Sequence, residues 1–392
     1  MGTLVMIAAA LLPLLTTSDG NGEPSPTFQL ESSTVVWNVN LSGRIDGNLL
    51  AVERFDTTLI IVPLEEEIAA FDAATGRELW RRSGLEGGGL IRHAPPLLFD
   101  GPVLGWAGRD AEEQGVIEVL SALDGRTLWK STLPAIPVGP PLAGRSGVRH
   151  PPAWFVPAEE GQILVLDNRG ELVERVRMGE SIHPPLIAVD RSVIADVGDG
   201  GARRMVIVGA LSRRRARLPF VTKKAAVSKD DLAFSLGRRV HMLRCRTEPL
   251  TKARCRPRWK QSSGASMGRP LFFDDFRVIV PSWDSFIYAF RRDNGHMLWK
   301  RGTNVRPSHL TRFTAYLIIS TAESSARVDL LHAVNGTVAG SFQAEPLETI
   351  AGAGIALPNA FIAAVERPPM ETHLLRRWHL EIQEQSLRAE TR

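Results

Sequence analysis

Cysteine is nearly absent from this sequence, with only Cys245 and Cys255 among 392 residues. Two thiols with nine residues between them, and without further ligands at close spacing, do not make a metal site. The signatures of catalysis are missing as well: there is no G-x-S-x-G, no phosphate-cradling P-loop and no H-E-x-x-H. The glycine-rich "EGGGL" at 86–90 precedes no helical pattern, so it reads as a connection. No apolar run reaches the roughly 20 residues that a bilayer crossing needs. Charge of one sign is scarce overall, since a net +4 on this length gives no global attraction to nucleic acid.

What is present is a globular composition, 44% hydrophobic and 23% charged. The apolar stretch from Leu4 to Leu15, followed by small and polar residues, resembles the central region of a secretory signal, although a basic start and a clean cleavage site are lacking. Residues 1–20 are therefore expected to be a signal-like segment and 21–32 a linker, with the protein exported to a periplasm or envelope. No cysteine follows the run, so an anchor lipidated on an N-terminal Cys is not expected.

The informative feature is repetition. "AFDAATGRELW" at 70–80 returns as "AFRRDNGHMLW" at 289–299, aligning Ala70, Gly76 and Trp80 with Ala289, Gly295 and Trp299. "VLSALDGRTLW" is a weaker copy with Gly125 and Trp129, and degenerate copies surround Gly170 and Gly336. Each is an apolar run, a turn rich in Asp, Asn or Gly, and a second short run, which is the pattern of a hairpin. Trp37 to Trp80 spans 43 residues, Trp80 to Trp129 spans 49, and Trp259 to Trp299 spans 40. A period of that length is a propeller blade. Upstream in each unit stands a second recurrent piece, Pro-Leu, a short strand, a turn and another strand, as in "HPPLIAVDRSVIADVG". Four short strands per unit complete the blade.

Closing strands fall near residues 37, 80, 129, 174, 217, 259, 299 and 340. The first lacks preceding strands, and the C-terminal stretch has three strands without a closing one. Joining them removes two exposed sheet edges. The expectation is an all-β, eight-bladed β-propeller of four-stranded blades over 33–384, closed by pairing the N- and C-terminal strands and followed by a polar tail at 385–392. Seven blades is the alternative.

These strings resemble the PQQ-type repeat family, whose docking motif has Ala, Gly and Trp at this spacing. The resemblance implies that Ala70, Gly76, Trp80, Gly125, Trp129, Ala289, Gly295 and Trp299 dock blade on blade. Catalytic members of that class bind pyrroloquinoline quinone over calcium, with an adjacent-cysteine disulfide and long inserted segments; this chain has neither. No cofactor is expected, and His93, His183 and His309, which precede inner strands, read as satisfied or solvated loop residues. The chain is similar to the non-catalytic members, among them the propeller lipoprotein of outer-membrane barrel assembly. That likeness implies a non-enzymatic, monomeric scaffold for a protein partner. The alternative is a quinone-dependent oxidoreductase or small-ligand sensor using the central channel.

Charge is concentrated in one sector. Between Arg203 and Lys260 there are 18 Lys or Arg and three acids, Asp230, Asp231 and Glu248, so this stretch is near +15 and the remainder near −11. Arg213, Arg214, Arg215 and Arg217 form one dense group; Arg244, Arg246, Arg254, Arg256 and Arg258 alternate, which would place several cations on one strand face. Such a face could attract acidic protein, anionic lipid or polyanionic glycan, whereas the bland reading is a solvated edge that resists mispairing. Nucleic acid is not expected there, because aromatics for stacking are sparse. Cys245 and Cys255 either close a disulfide across a hairpin in this sector or are two separate buried thiols.

Overall fold

The computed structural model describes residues 27–385 apart from 46–47, 55, 65–66, 84–90, 95–101, 146–151, 190–191, 199–203, 210–211, 219–224, 247–253, 304–305, 322–326, 346–347 and 368–371. The signal-like segment and "EGGGL" lie outside these residues. Eight antiparallel sheets of four strands each form an eight-bladed β-propeller. Blades 1 to 7 are simple meanders over 50–83, 91–132, 142–177, 182–218, 225–262, 271–302 and 307–343. Blade 8 takes three strands from 349–385 and its outermost strand from Thr27–Asn40.

Burial explains the strand chemistry. Each blade is covered on both faces by its neighbours, so the second strands are apolar on both sides: in Val103–Arg109 six consecutive residues are buried. Outermost strands have one face in solvent and alternate, as in Thr127–Thr132. Among the described residues the apolar core divides into eight clusters, each built from two adjoining blades. The last of these joins Ile355, Ile362 and Leu375 of blade 8 to Ile60, Val62 and Phe71 of blade 1, which closes the ring.

The closing strand differs from its seven counterparts. Thr27–Asn40 and Thr372–Gln385 are 14 residues each and pair from Thr27↔Gln385 to Asn40↔Leu374. The strand thus begins inside the stretch expected as a linker. In blades 1, 2, 3, 6 and 7 the third and fourth strands are joined by a short turn, which limits their length; here they are the two terminal strands, so pairing runs on past the blade. Leu30 of this extension packs against Gly340, where an added Cβ would lie 2.5 Å from the Leu30 Cβ. Gly340 stands four residues after Gly336, the position that tryptophan holds in the full repeats. The indole is replaced by glycine because the terminal strand fills its space.

Candidate partner surface

The repeat residues meet across blade boundaries. The Trp80 ring lies over Gly125, Trp129 over Gly170, Trp259 over Gly295, Trp299 over Gly336, and Trp37 carries the same contact across the closure onto Gly76. Ala70 and Ala289 are the direct cross-strand partners of Trp80 and Trp299, so the small side chain leaves the indole room to lean toward the next blade. A bulge follows each of these pairs. Trp37, Trp259 and Trp299 each donate their indole N–H to the carbonyl of the residue three before the facing glycine, Ala73, Arg292 and Ala333, at 3.3, 2.9 and 3.0 Å. Ring, glycine and carbonyl form one unit that fixes blade spacing.

That unit is missing on both sides of blade 4. Opposite the residue before the bulge, where blades 1 and 6 have tryptophan, blade 3 has Glu174 and blade 4 has Arg215. Blade 4 opens the basic sector: its outermost strand, Ser212–Leu218, carries Arg213, Arg214, Arg215 and Arg217 and pairs with Arg204–Gly209 through Val208↔Arg215 and Val206↔Arg217. The side chains of these four arginines, like those of Arg246, Arg254 and His93, lie outside the described residues.

In blade 5 the strands Arg239–Arg246 and Arg254–Ser262 form a hairpin closed by a Cys245–Cys255 disulfide. The two cysteines are opposed in register, with Arg244 opposite Arg256 on one side and Arg246 opposite Arg254 on the other. Like charges directly opposed in a sheet are destabilising, and the covalent bond holds them together. Reducing the disulfide, or Cys255→Ser, is expected to lower stability by about 2–3 kcal/mol on loop-closure grounds, read by denaturant unfolding with and without reductant.

The expected alternation of Arg254, Arg256 and Arg258 is broken. A bulge at Met242/Leu243 leaves Arg258 as the extra residue between Pro257 and Trp259, and it turns inward. There the Asp231 carboxylate, 1% exposed, accepts from Arg292 Nε at 2.7 Å, Arg258 Nη1 at 3.3 Å and Arg244 Nε at 3.3 Å. Arg292 belongs to blade 6 and also donates to the Ser228 carbonyl at 2.9 Å, and to Asp275, which pairs with Lys229. The bond to Lys229 holds the Asp275 carboxyl below its usual range. Arg244 and Arg258 are therefore internal counter-ions that lock blade 5 to blade 6, and not free surface cations. Asp231→Asn should cost about 3 kcal/mol or more, because it leaves guanidinium groups inside without a carboxylate. Chemical denaturation checks this, and a loss close to zero would show that water reaches the pocket.

His241, on the same hairpin, stacks on Phe234 with ring centroids 4.9 Å apart. Burial, and then Arg239 and Lys260, hold its pKa below the ordinary 6.5. Below pH 6.5 the unfolded chain takes up a proton that the folded chain resists, so stability is full above that pH and falls as the pH drops through it. His309, lowered by burial, acts in the same direction. His241→Phe should flatten the dependence of the unfolding midpoint on pH between 7 and about 5, where an unperturbed histidine titrates.

His183 Nε2 lies 2.8 Å from the Gly198 carbonyl, a local contact within blade 4. Among the described residues no three His, Cys, Asp or Glu side chains converge as they would on a metal ion.

No family model and no curated protein matches the chain. Among solved structures, BamB from Moraxella catarrhalis superposes with a TM-score of 0.56 and 17% identity, covering 89% of this chain and 98% of that one. The computationally designed Ika8 protein gives a TM-score of 0.61 at 12% identity, covering 87% and 98%. Likeness at such identities is one of fold, and a designed protein matches as well as a natural one.

Two features escaped the sequence reading: the counter-ion role of Asp231, and the participation of blade 6 through Arg292. The only signal in the sequence was a pair of acids, Asp230 and Asp231, inside an otherwise cationic stretch.

Proposed function

We propose that this protein is an exported, non-catalytic propeller scaffold that binds a protein partner in a bacterial envelope. The observation that carries the reading is the hairpin of blade 5, in which a disulfide pins opposed arginine pairs at the edge of a closed ring. A persistent disulfide suits an oxidising compartment. Eight interblade cores give a stiff frame, and on such a frame function lies at the rim and loops. The fold likeness to BamB agrees with scaffold work.

The test is affinity capture from an envelope fraction followed by mass spectrometry, with an absorption spectrum of the protein mixed with pyrroloquinoline quinone and calcium. A stoichiometric protein partner and no quinone uptake supports the scaffold. Stable quinone uptake without a partner overturns it.

A further inference from the structure

The basic sector changes shape once the strands are in place. In blades 4, 5 and 6 the two outermost strands carry five, seven and three Lys or Arg, and not one Asp or Glu. In the other five blades the equivalent strands hold nine acids and eight cations. The asymmetry thus extends past Lys260 into blade 6, where Lys300 and Arg301 lie on the outermost strand.

Some of these cations are used internally: Arg244 and Arg258 serve Asp231, and Arg291 pairs with Asp293. Arg256, Lys260, Lys300 and Arg301 are exposed and have no carboxylate partner among the described residues. On the same strand of blade 6 as Lys300 and Arg301, Met297 and Leu298 are 49% and 41% exposed, which puts apolar surface near the charges. The rim of a ring is convex. A flat bilayer meets a convex rim along a narrow line, whereas a flexible chain follows it, and a uniformly charged glycan makes no use of Met297 and Leu298.

We infer that the outer rim of blades 4–6 is the docking face for an extended acidic polypeptide segment with apolar side chains among its carboxylates. The inference rests on the scaffold reading and names the kind of partner and its place. Carboxylates seated between Arg256 and Lys260 on blade 5 and Lys300 and Arg301 on blade 6 would meet cations that no carboxylate among the described residues neutralises.

The test uses the full chain and a fluorescein-labelled Glu-Leu-Glu-Glu repeat peptide, followed by anisotropy at moderate salt. Arg256→Glu with Arg301→Glu is compared with Lys130→Glu with Arg175→Glu, exposed positions on blades 2 and 3. Both double variants lower the net charge equally, so long-range attraction falls equally. The expected result is about a tenfold loss of affinity for the first and less than about twofold for the second. Equal losses would overturn the proposal, as would dextran sulfate or phosphatidylglycerol vesicles displacing the peptide at lower concentration than unlabelled peptide. Envelope capture separates the two levels. If the Arg256→Glu, Arg301→Glu variant retains the wild-type partner, the rim assignment fails and the scaffold stands. If wild type captures no protein while peptide binding remains specific to the rim, the scaffold reading fails alone.

Discussion

Gly295→Ala is expected to destabilise the propeller by about 3–4 kcal/mol, combining left-handed backbone strain with overpacking. Its φ is +75°, and an added Cβ would lie 2.6 Å from Trp259 Cδ2 and 2.8 Å from Cε3. The indole cannot retreat without breaking its hydrogen bond to the Arg292 carbonyl, and the Gln261 amide bond to the Gly295 carbonyl, both 2.9 Å, anchors the turn as well. Gly237 is the control: its φ is +55°, but nothing lies within 4 Å of the Cβ position. Gly237→Ala should cost only the backbone strain, about 1–2 kcal/mol. Equilibrium unfolding of the two variants makes the comparison. Equal losses would mean that the turn, and not the tryptophan docked on it, demands glycine.

Glu348→Gln should cost about 3–5 kcal/mol, the range found when one partner of a buried ion pair is removed. Glu348 is fully buried and the Arg376 side chain 2% exposed, with two bonds of 2.5 and 2.9 Å between them. Arg376 also donates from Nε to Asn38 Oδ1 at 2.6 Å, and Asn38 lies on the N-terminal strand. One network therefore ties the entry of blade 8, the C-terminal strand and the N-terminal strand together at the closure. Replacing both partners, Glu348→Leu with Arg376→Leu, should recover much of the loss, since no charge is then left inside. If the double variant is as unstable as the single one, the network's value lies in its geometry. Burial alone would raise the Glu348 pKa, but bonds from Arg376 and Arg367 hold it below the ordinary 4.5. Its contribution is present above that pH and lost as the pH falls through the lowered value, so Glu348→Gln should also weaken the acid dependence of stability.

The docking residues were legible because they obey a local rule. Ala, Gly and Trp sit within eleven residues of each other in the full copies, with alanine opposite the indole at Trp80 and Trp299, and the turns repeat two demands: a positive φ and a side-chain oxygen to cap the turn. Asp72, Asp124, Asn294 and Asn335 all accept from a backbone N–H two or three residues on. What is written within one hairpin can be read from one hairpin. The basic sector was half legible: its net charge showed in the sequence, but which cations stay free did not. Arg244 and Arg258 come from two strands of blade 5 and Arg292 from a turn of blade 6, 61 residues from the carboxylate that it shares.

The order of residues alone was enough for the fold class and favoured eight blades with a terminal seam over seven, since periodicity of 40 to 49 residues and a lone first closing strand leave few ways to hide apolar strands and sheet edges. Three-dimensional packing decided everything that depends on partners distant in the chain. Glycine replaces tryptophan at 340 because Leu30 arrives there from the other terminus. A bulge sends Arg258 inward while Arg256 stays at the surface. The run of acid-free outer strands exists only because the ring brings the outermost strands of three blades side by side. Short-range order follows from backbone sterics and apolar alternation, whereas charge pairing depends on distances that arise only when the ring has closed.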